Sequence, residues 1–203
     1  GDKTVGEGPL VLDNLTIRLR RAGPTIPIAS VTIVDATATA ALVDQFGPQC
    51  ELTLQNTSLD LGATTQQVRD LVLVGATIEG DTSSGRLDVV GSISARDSCS
   101  VDVPISLTAS ATEIAKTTAA GLTLGQPLDA PSEASVDLIG PGTIVTSDVN
   151  ASVTLFDGTL RSTGDILSLV LGSTLEIPAG LGDGVLSTQE ITFTEQSDVL
   201  VSI

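Results

Sequence analysis

Apolar residues recur at every second position along most of the chain. In Leu15-Thr16-Ile17-Arg18-Leu19-Arg20, the alternation puts Leu15, Ile17 and Leu19 on one side and leaves Asn14, Thr16 and Arg18 on the other. Val149 to Leu155 repeats it, with Asn150, Ser152 and Thr154 on the polar side. A period of two is that of a strand with one buried face. Strand patterns run over 10–20, 26–34, 50–55, 58–61, 71–79, 86–94, 100–109 and 121–124. They continue over 134–139, 143–147, 149–156, 159–162, 166–170, 174–177, 185–194 and 198–203. Turn chemistry separates them: Gly23-Pro24, Gly47-Pro48, Gly80-Asp81, Gly140-Pro141-Gly142, Asp157-Gly158 and Gly182-Asp183-Gly184. Asp157-Gly158, set between Val153-Thr154-Leu155-Phe156 and Thr159-Leu160-Arg161, predicts a two-residue hairpin. Short helices are predicted at most over 36–46, 63–71 and 112–120, the last with Thr112 as cap and Gly121 as stop.

The expected fold class is therefore all-β: an antiparallel β-sandwich, jelly-roll-like, with one or two short helices. Residues 1–9 are polar and Gly-rich and read as a flexible N-terminal arm, and 10–203 as one sandwich domain. The stretch 116–133, with Pro127 and Pro131, is a candidate internal linker that would divide it into two small sandwiches. An irregular β-helix is the other alternative, because Val68 to Gly80 resembles a rung. No repeat in the 20–50 range supports a regular solenoid.

Composition sharpens the picture. Hydrophobic residues make up 41% of 203 residues, enough for a folded core, and they are branched aliphatics and Ala, with three Phe and no Trp, Tyr, Met or His. Nine basic residues against 25 acidic ones give a net charge of −16, which nucleic acid and anionic membranes repel. The basic cluster Arg18, Arg20 and Arg21 has no aromatic stacking partner and reads as a solvated strand face. No segment reaches the roughly 18–20 apolar residues of a membrane span, so no membrane insertion is expected. The chain starts at Gly1 without Met, as a processed secreted chain would.

Catalysis finds few tools. Without His or Tyr, Ser and Thr have no imidazole to activate them, and glycosidase-type carboxylate pairs lack the aromatics that line such clefts. No enzyme is expected, and no cofactor. An oxygen-only calcium site needs no His, and Asp81, Asp88, Asp97, Asp157, Asp165 and Asp183 lie in or near loops. Their spacing fits no calcium loop, so they read as solvated turn residues.

Two features point outside the cell. Cys50 and Cys99 each begin a strand pattern; joined, they would close a loop of about 50 residues, worth roughly 4 kcal/mol. All three asparagines, Asn14, Asn56 and Asn150, open N-x-Ser/Thr acceptor sequons. At this chain's Ser/Thr frequency, that coincidence has a chance of roughly 1%. Asn56 is in phase with the apolar Leu52 and Leu54, so a turn must carry it to the surface. The expected product is a secreted glycoprotein with N-linked glycans, extracellular or at the cell surface.

The expected function is a structural subunit that assembles with its own copies, through β-strand edges, into a filament, pilus or surface coat. Leu10, Val11 and Leu12, after the polar arm, are candidates for a strand donated to a neighbouring subunit; the closing run Asp198 to Ile203 is another. The alternatives are an adhesin or receptor-binding ectodomain, and a carrier of a hydrophobic ligand. The carrier is suggested by the two-sided apolar runs Leu71 to Val74 and Ile166 to Leu171.

Overall fold

The computed structural model describes residues 10–13, 16–19, 29–131, 134–146, 148–162, 164–177 and 187–201. Their strands follow one another around a coil. The first half runs β1 (Leu10–Asp13), β2 (Thr16–Leu19), β3 (Ser30–Val34), β4 (Thr37–Ala40), β5 (Glu51–Gln55), β6 (Ser58–Asp60) and β7 (Thr65–Val68). Next come β8 (Asp70–Val74), β9 (Thr77–Glu79), β10 (Arg86–Val89), β11 (Ile93–Arg96), β12 (Cys99–Val101) and β13 (Ile105–Leu107). Then follow β14 (Ala111–Lys116), β15 (Leu122–Leu124), β16 (Leu128–Asp129), β17 (Ser135–Ile139), β18 (Thr143–Thr146) and β19 (Val149–Leu155). The last are β20 (Thr159–Ser162), β21 (Asp165–Leu171), β22 (Thr174–Ile177), β23 (Ser187–Phe193) and β24 (Asp198–Val201).

No strand pairs with its immediate successor in the chain. A ten-stranded sheet stacks β2, β4, β6, β9, β12, β15, β18, β20, β22 and β24 in that order. A 14-stranded sheet holds the other two faces, because β19 bends: Val149 and Asn150 pair with β16, and Ser152 to Leu155 pair with β17. Every described pairing is parallel, from β1 on β3 to β22 on β24. The fold is a three-faced parallel β-solenoid.

This overturns the antiparallel sandwich and gives the β-helix alternative the better of the comparison. Alternation fixes which side of a strand is buried; it does not fix the direction of the neighbouring strand. Asp157-Gly158 is a corner, not a hairpin: Gly158 has φ +79°, and β19 and β20 belong to different sheets. Residues 116–133 are no linker, since β15 and β16 lie within the stack there. None of the three expected helices forms. Residues 36–46 are β4 plus a corner, where the Gln66 side chain accepts the Gln45 N–H (2.8 Å) and donates to the Leu42 carbonyl (2.6 Å).

The core consists of columns that run along the axis. On the first face Val31, Leu52, Leu71, Ile93, Ile114, Leu138, Leu155 and Leu171 are register partners in succession, and all are buried. The second face stacks Cys99, Leu122, Ile144, Leu160 and Leu175. Branched aliphatics suit this arrangement because like side chains nest on one another at the strand spacing of about 4.8 Å. Spacing along the chain is uneven: register partners are 16 residues apart from Val153 to Leu169 and 24 from Ile114 to Leu138.

Corners between the first and second faces share one device. Asp35, Asn56, Gly75 and Asp97 take φ of +47°, +46°, +58° and +61° in four consecutive rungs. Their amides stay in the ladder: Asp35 N–H donates to the Gln55 carbonyl (2.9 Å), Asn56 to Val74 (2.8 Å) and Gly75 to Arg96 (3.0 Å). Left-handed backbone is open to Gly, Asn and Asp and costs other residues about 1–2 kcal/mol.

Another corner carries a charged clamp. Asp70 Oδ1 accepts the Ser92 N–H (2.9 Å) and hydroxyl (3.1 Å) from the next rung, and Arg69 Nε binds Oδ2 at 2.6 Å. Burial pushes this carboxyl up, but the bonds from Ser92 and Arg69 outweigh it and hold it below its ordinary value. A group with a depressed folded-state pKa stabilises above its unfolded value and loses that contribution as pH falls through the folded one. Urea midpoints should therefore fall as pH drops below about 4, and Asp70→Asn should flatten that dependence. In the core, Leu54→Ala should cost about 2–5 kcal/mol in urea unfolding, whereas Thr53→Ala, which points outward, should stay within about 0.5 kcal/mol.

Candidate functional site: the uncovered last rung

Among the described residues, the columns end on exposed side chains. Phe193 continues the first-face column above Leu171, yet it is 57% exposed; Val199 continues the second-face column above Leu175 and is 43% exposed. Leu200, beside them on β24, is 55% exposed. Just below, on the outer side of the first face, Phe156 and Val170 are exposed too. Most large apolar side chains exposed among the described residues thus gather at this end, Leu42 and Val43 excepted.

The backbone is open there as well. Among the described residues, β23 pairs only with β21, and β24 only with β22. At the opposite end of the described residues, β1 pairs only with β3, and β2 only with β4. Among the described residues, the first and last rungs therefore each present one first-face and one second-face strand with an unpaired edge, a template for another parallel strand.

Leu10, Val11 and Leu12 are not a detached strand. They are register partners of Val31, Thr32 and Ile33 in their own chain, so donation in the expected form is corrected to an edge already paired on one side. The arm at 1–9 lies outside the described residues.

Charge is uneven along the sequence. Lys3, Arg18, Arg20 and Arg21 put four of the nine basic residues within the first 21 positions, beside Asp2, Glu7 and Asp13. Residues 162–203 contain Asp165, Glu176, Asp183, Glu190, Glu195 and Asp198 and no basic residue. The last basic residue, Arg161, is already paired with Glu176.

The expected cross-link is absent. Cys50 and Cys99 are both free and buried. Cys50 precedes β5 on the first face; Cys99 opens β12 on the second face, two rungs further on. Two rungs separate strands by roughly 10 Å, beyond the reach of about 7 Å between bridged Cα atoms. Burial raises the Cys50 thiol to about 11, so it stays protonated. The cysteine argument for an oxidising compartment lapses with the bridge.

The sequons separate into two kinds. Asn14 lies outside the described residues. Asn56 is exposed at the left-handed corner, and its Nδ2 donates to Asp35 Oδ1 at 2.9 Å. Thr57, inside, donates to the Ile33 and Gln55 carbonyls, and Ser58 opens the next strand. Asn150 is exposed in mid-strand and lines a groove of about 430 Å³ with Asp148, Asp165, Thr188 and Gln189. The Asp165 N–H donates to Asp148 Oδ1 at 2.9 Å in that groove.

Among the described residues, no group of three or more His, Cys, Asp or Glu is arranged to hold a metal ion, and no helix is long and apolar enough to cross a membrane. No protein-family model, curated protein or solved structure matches the chain. Sequence reasoning named the closing run that holds β24 but missed β23 and the exposed Phe193, because Phe193 alternates like any buried strand residue; its exposure follows from the stacking order. At the corner, Asn56→Val should destabilise by about 1–2 kcal/mol and Asn56→Gly by less than about 0.5 kcal/mol in protein from a non-glycosylating host, read by thermal unfolding.

Proposed function

We propose that this chain is a structural subunit whose copies stack head to tail, the last rung of one receiving the first rung of the next. The uncovered rung of β23 and β24 carries the reading. Pairing β23 with a neighbour's β1, and β24 with its β2, extends both sheets in the direction they already run, covers Phe193 and Val199, and satisfies the free edge groups. A contact between unlike ends does not close on itself, so it yields a filament rather than a dimer. Glu190, Glu195 and Asp198 on the last rung repel their counterparts on another last rung, which favours contact between unlike ends. This revises strand donation into edge-to-edge continuation and keeps the expectation of self-assembly. An extracellular setting is part of the proposal, supported by the exposed acceptor Asn150. The adhesin and carrier readings gain no comparable support, since the interior columns are filled by the chain's own side chains.

Sedimentation and electron microscopy over a concentration series test it. The unaltered chain should form rods with a meridional spacing of about 4.8 Å in fibre diffraction. Phe193→Asp combined with Leu200→Lys should leave monomers with the same β-type circular dichroism. An unaltered chain that stays monomeric at every concentration and salt level overturns the proposal.

A further inference from the structure

Lys116 sits in a position built for an aliphatic residue. The first-face column Leu54, Leu73 and Ala95 continues into Lys116, whose residue is 2% exposed. Glycines make the room: a Cβ on Gly142 would stand 2.9 Å from Lys116 Cε, and one on Gly140 would strike the Lys116 carbonyl. The side chain turns toward the corner, where Nζ donates to the Asp97 carbonyl at 2.7 Å. Cys99 Sγ lies 3.8 Å from that same oxygen and donates to the Arg96 carbonyl at 3.1 Å. A buried amine and a buried thiol from adjacent rungs thus converge on one atom. Desolvation lowers the Lys116 pKa from its ordinary value, against the opposing pull of Cys99 and Asp97, which favours the uncharged, nucleophilic amine.

We propose that Cys99 and Lys116 form a peroxide-driven cross-linking site, joined by a sulfenamide bond between Sγ and Nζ that staples β12 to β14. Hydrogen peroxide oxidises the thiol to sulfenic acid and releases one water. The Nζ lone pair then attacks Sγ; the sulfenic oxygen leaves as a second water with the proton shed by the amine. The sulfur loses two electrons, the peroxide is reduced to two waters, and the protein loses two hydrogens. Excess dithiol reverses it by cleaving the S–N bond. Cys50 serves as an internal control, because its neighbouring cation is Arg69, which supplies no such nucleophile.

The experiment treats the folded chain with limiting hydrogen peroxide and maps its peptides by mass spectrometry. A mass loss of about 2 Da is expected, carried by one dithiol-sensitive species containing both Cys99 and Lys116, together with a raised thermal midpoint. Protein oxidised in denaturant should not give that species. Oxygen adducts of about 16 or 32 Da on Cys99 with Lys116 unmodified, or a Cys50–Cys99 disulfide, would overturn the proposal. Lys116→Met fills the same column and should convert the product to oxygen adducts; if this variant fails to fold, the map of the unaltered chain decides alone.

Discussion

Each short strand depends on the rungs on either side of it for its main-chain hydrogen bonds. Strands such as β16 (two residues) or β6 and β9 (three residues each) have no stability of their own. They persist because the parallel ladder and the side-chain columns repeat along one axis, so each rung's amides and apolar side chains are met by the next. Removing a rung from contact exposes both kinds of group together. For that reason the outermost rung is the most demanding place in the molecule.

The same constraint determines how polar residues are admitted. Corners take Asp, Asn or Gly because the backbone must turn without leaving the ladder, and the amides of Asp35, Asn56 and Gly75 still reach carbonyls of the following rung. Gln66, fully buried, enters the interior only with both ends of its amide occupied. Lys116 enters with a carbonyl for its amine and glycines to admit its stem. Polar groups inside the coil are thus tied to neighbouring segments, so the sequence of one turn limits what the next can carry.

Burial was legible from the alternation in the sequence: Leu52, Leu54, Val149, Ala151, Val153 and Leu155 all face inward as expected, while the two-sided run at Leu71 to Val74 turns Leu71 and Leu73 inward. Direction was not, since a period of two is common to parallel and antiparallel sheets. The repeat was obscured by unequal rungs, yet a signature was present in Val34-Asp35-Ala36-Thr37, Gln55-Asn56-Thr57-Ser58 and Val74-Gly75-Ala76-Thr77. Each has a left-handed residue, then a small inward one, then a hydroxyl that opens the second face. Asparagine in the first of those places creates an N-x-Ser/Thr triplet by geometry alone. The Asn56 sequon thus follows in part from the corner, and the chance of roughly 1% that counts it as a coincidence overstates the pattern; Asn150, within β19, is free of this explanation. The missing bridge has a related cause, because flanking strand patterns say nothing about how many turns separate two cysteines.

Unequal rungs have a meaning of their own. Between Val153 and Leu169 the chain completes a circuit in 16 residues, while other circuits spend up to 24, and the columns stay in register throughout. The surplus is absorbed at the corners, as in the excursion from Ala41 to Gln49. Circumference and pitch are thus uncoupled. Extra residues at the exposed tip of that excursion, Leu42 and Val43, would leave the columns in place, while its base is anchored by the buried Gln45 and Phe46.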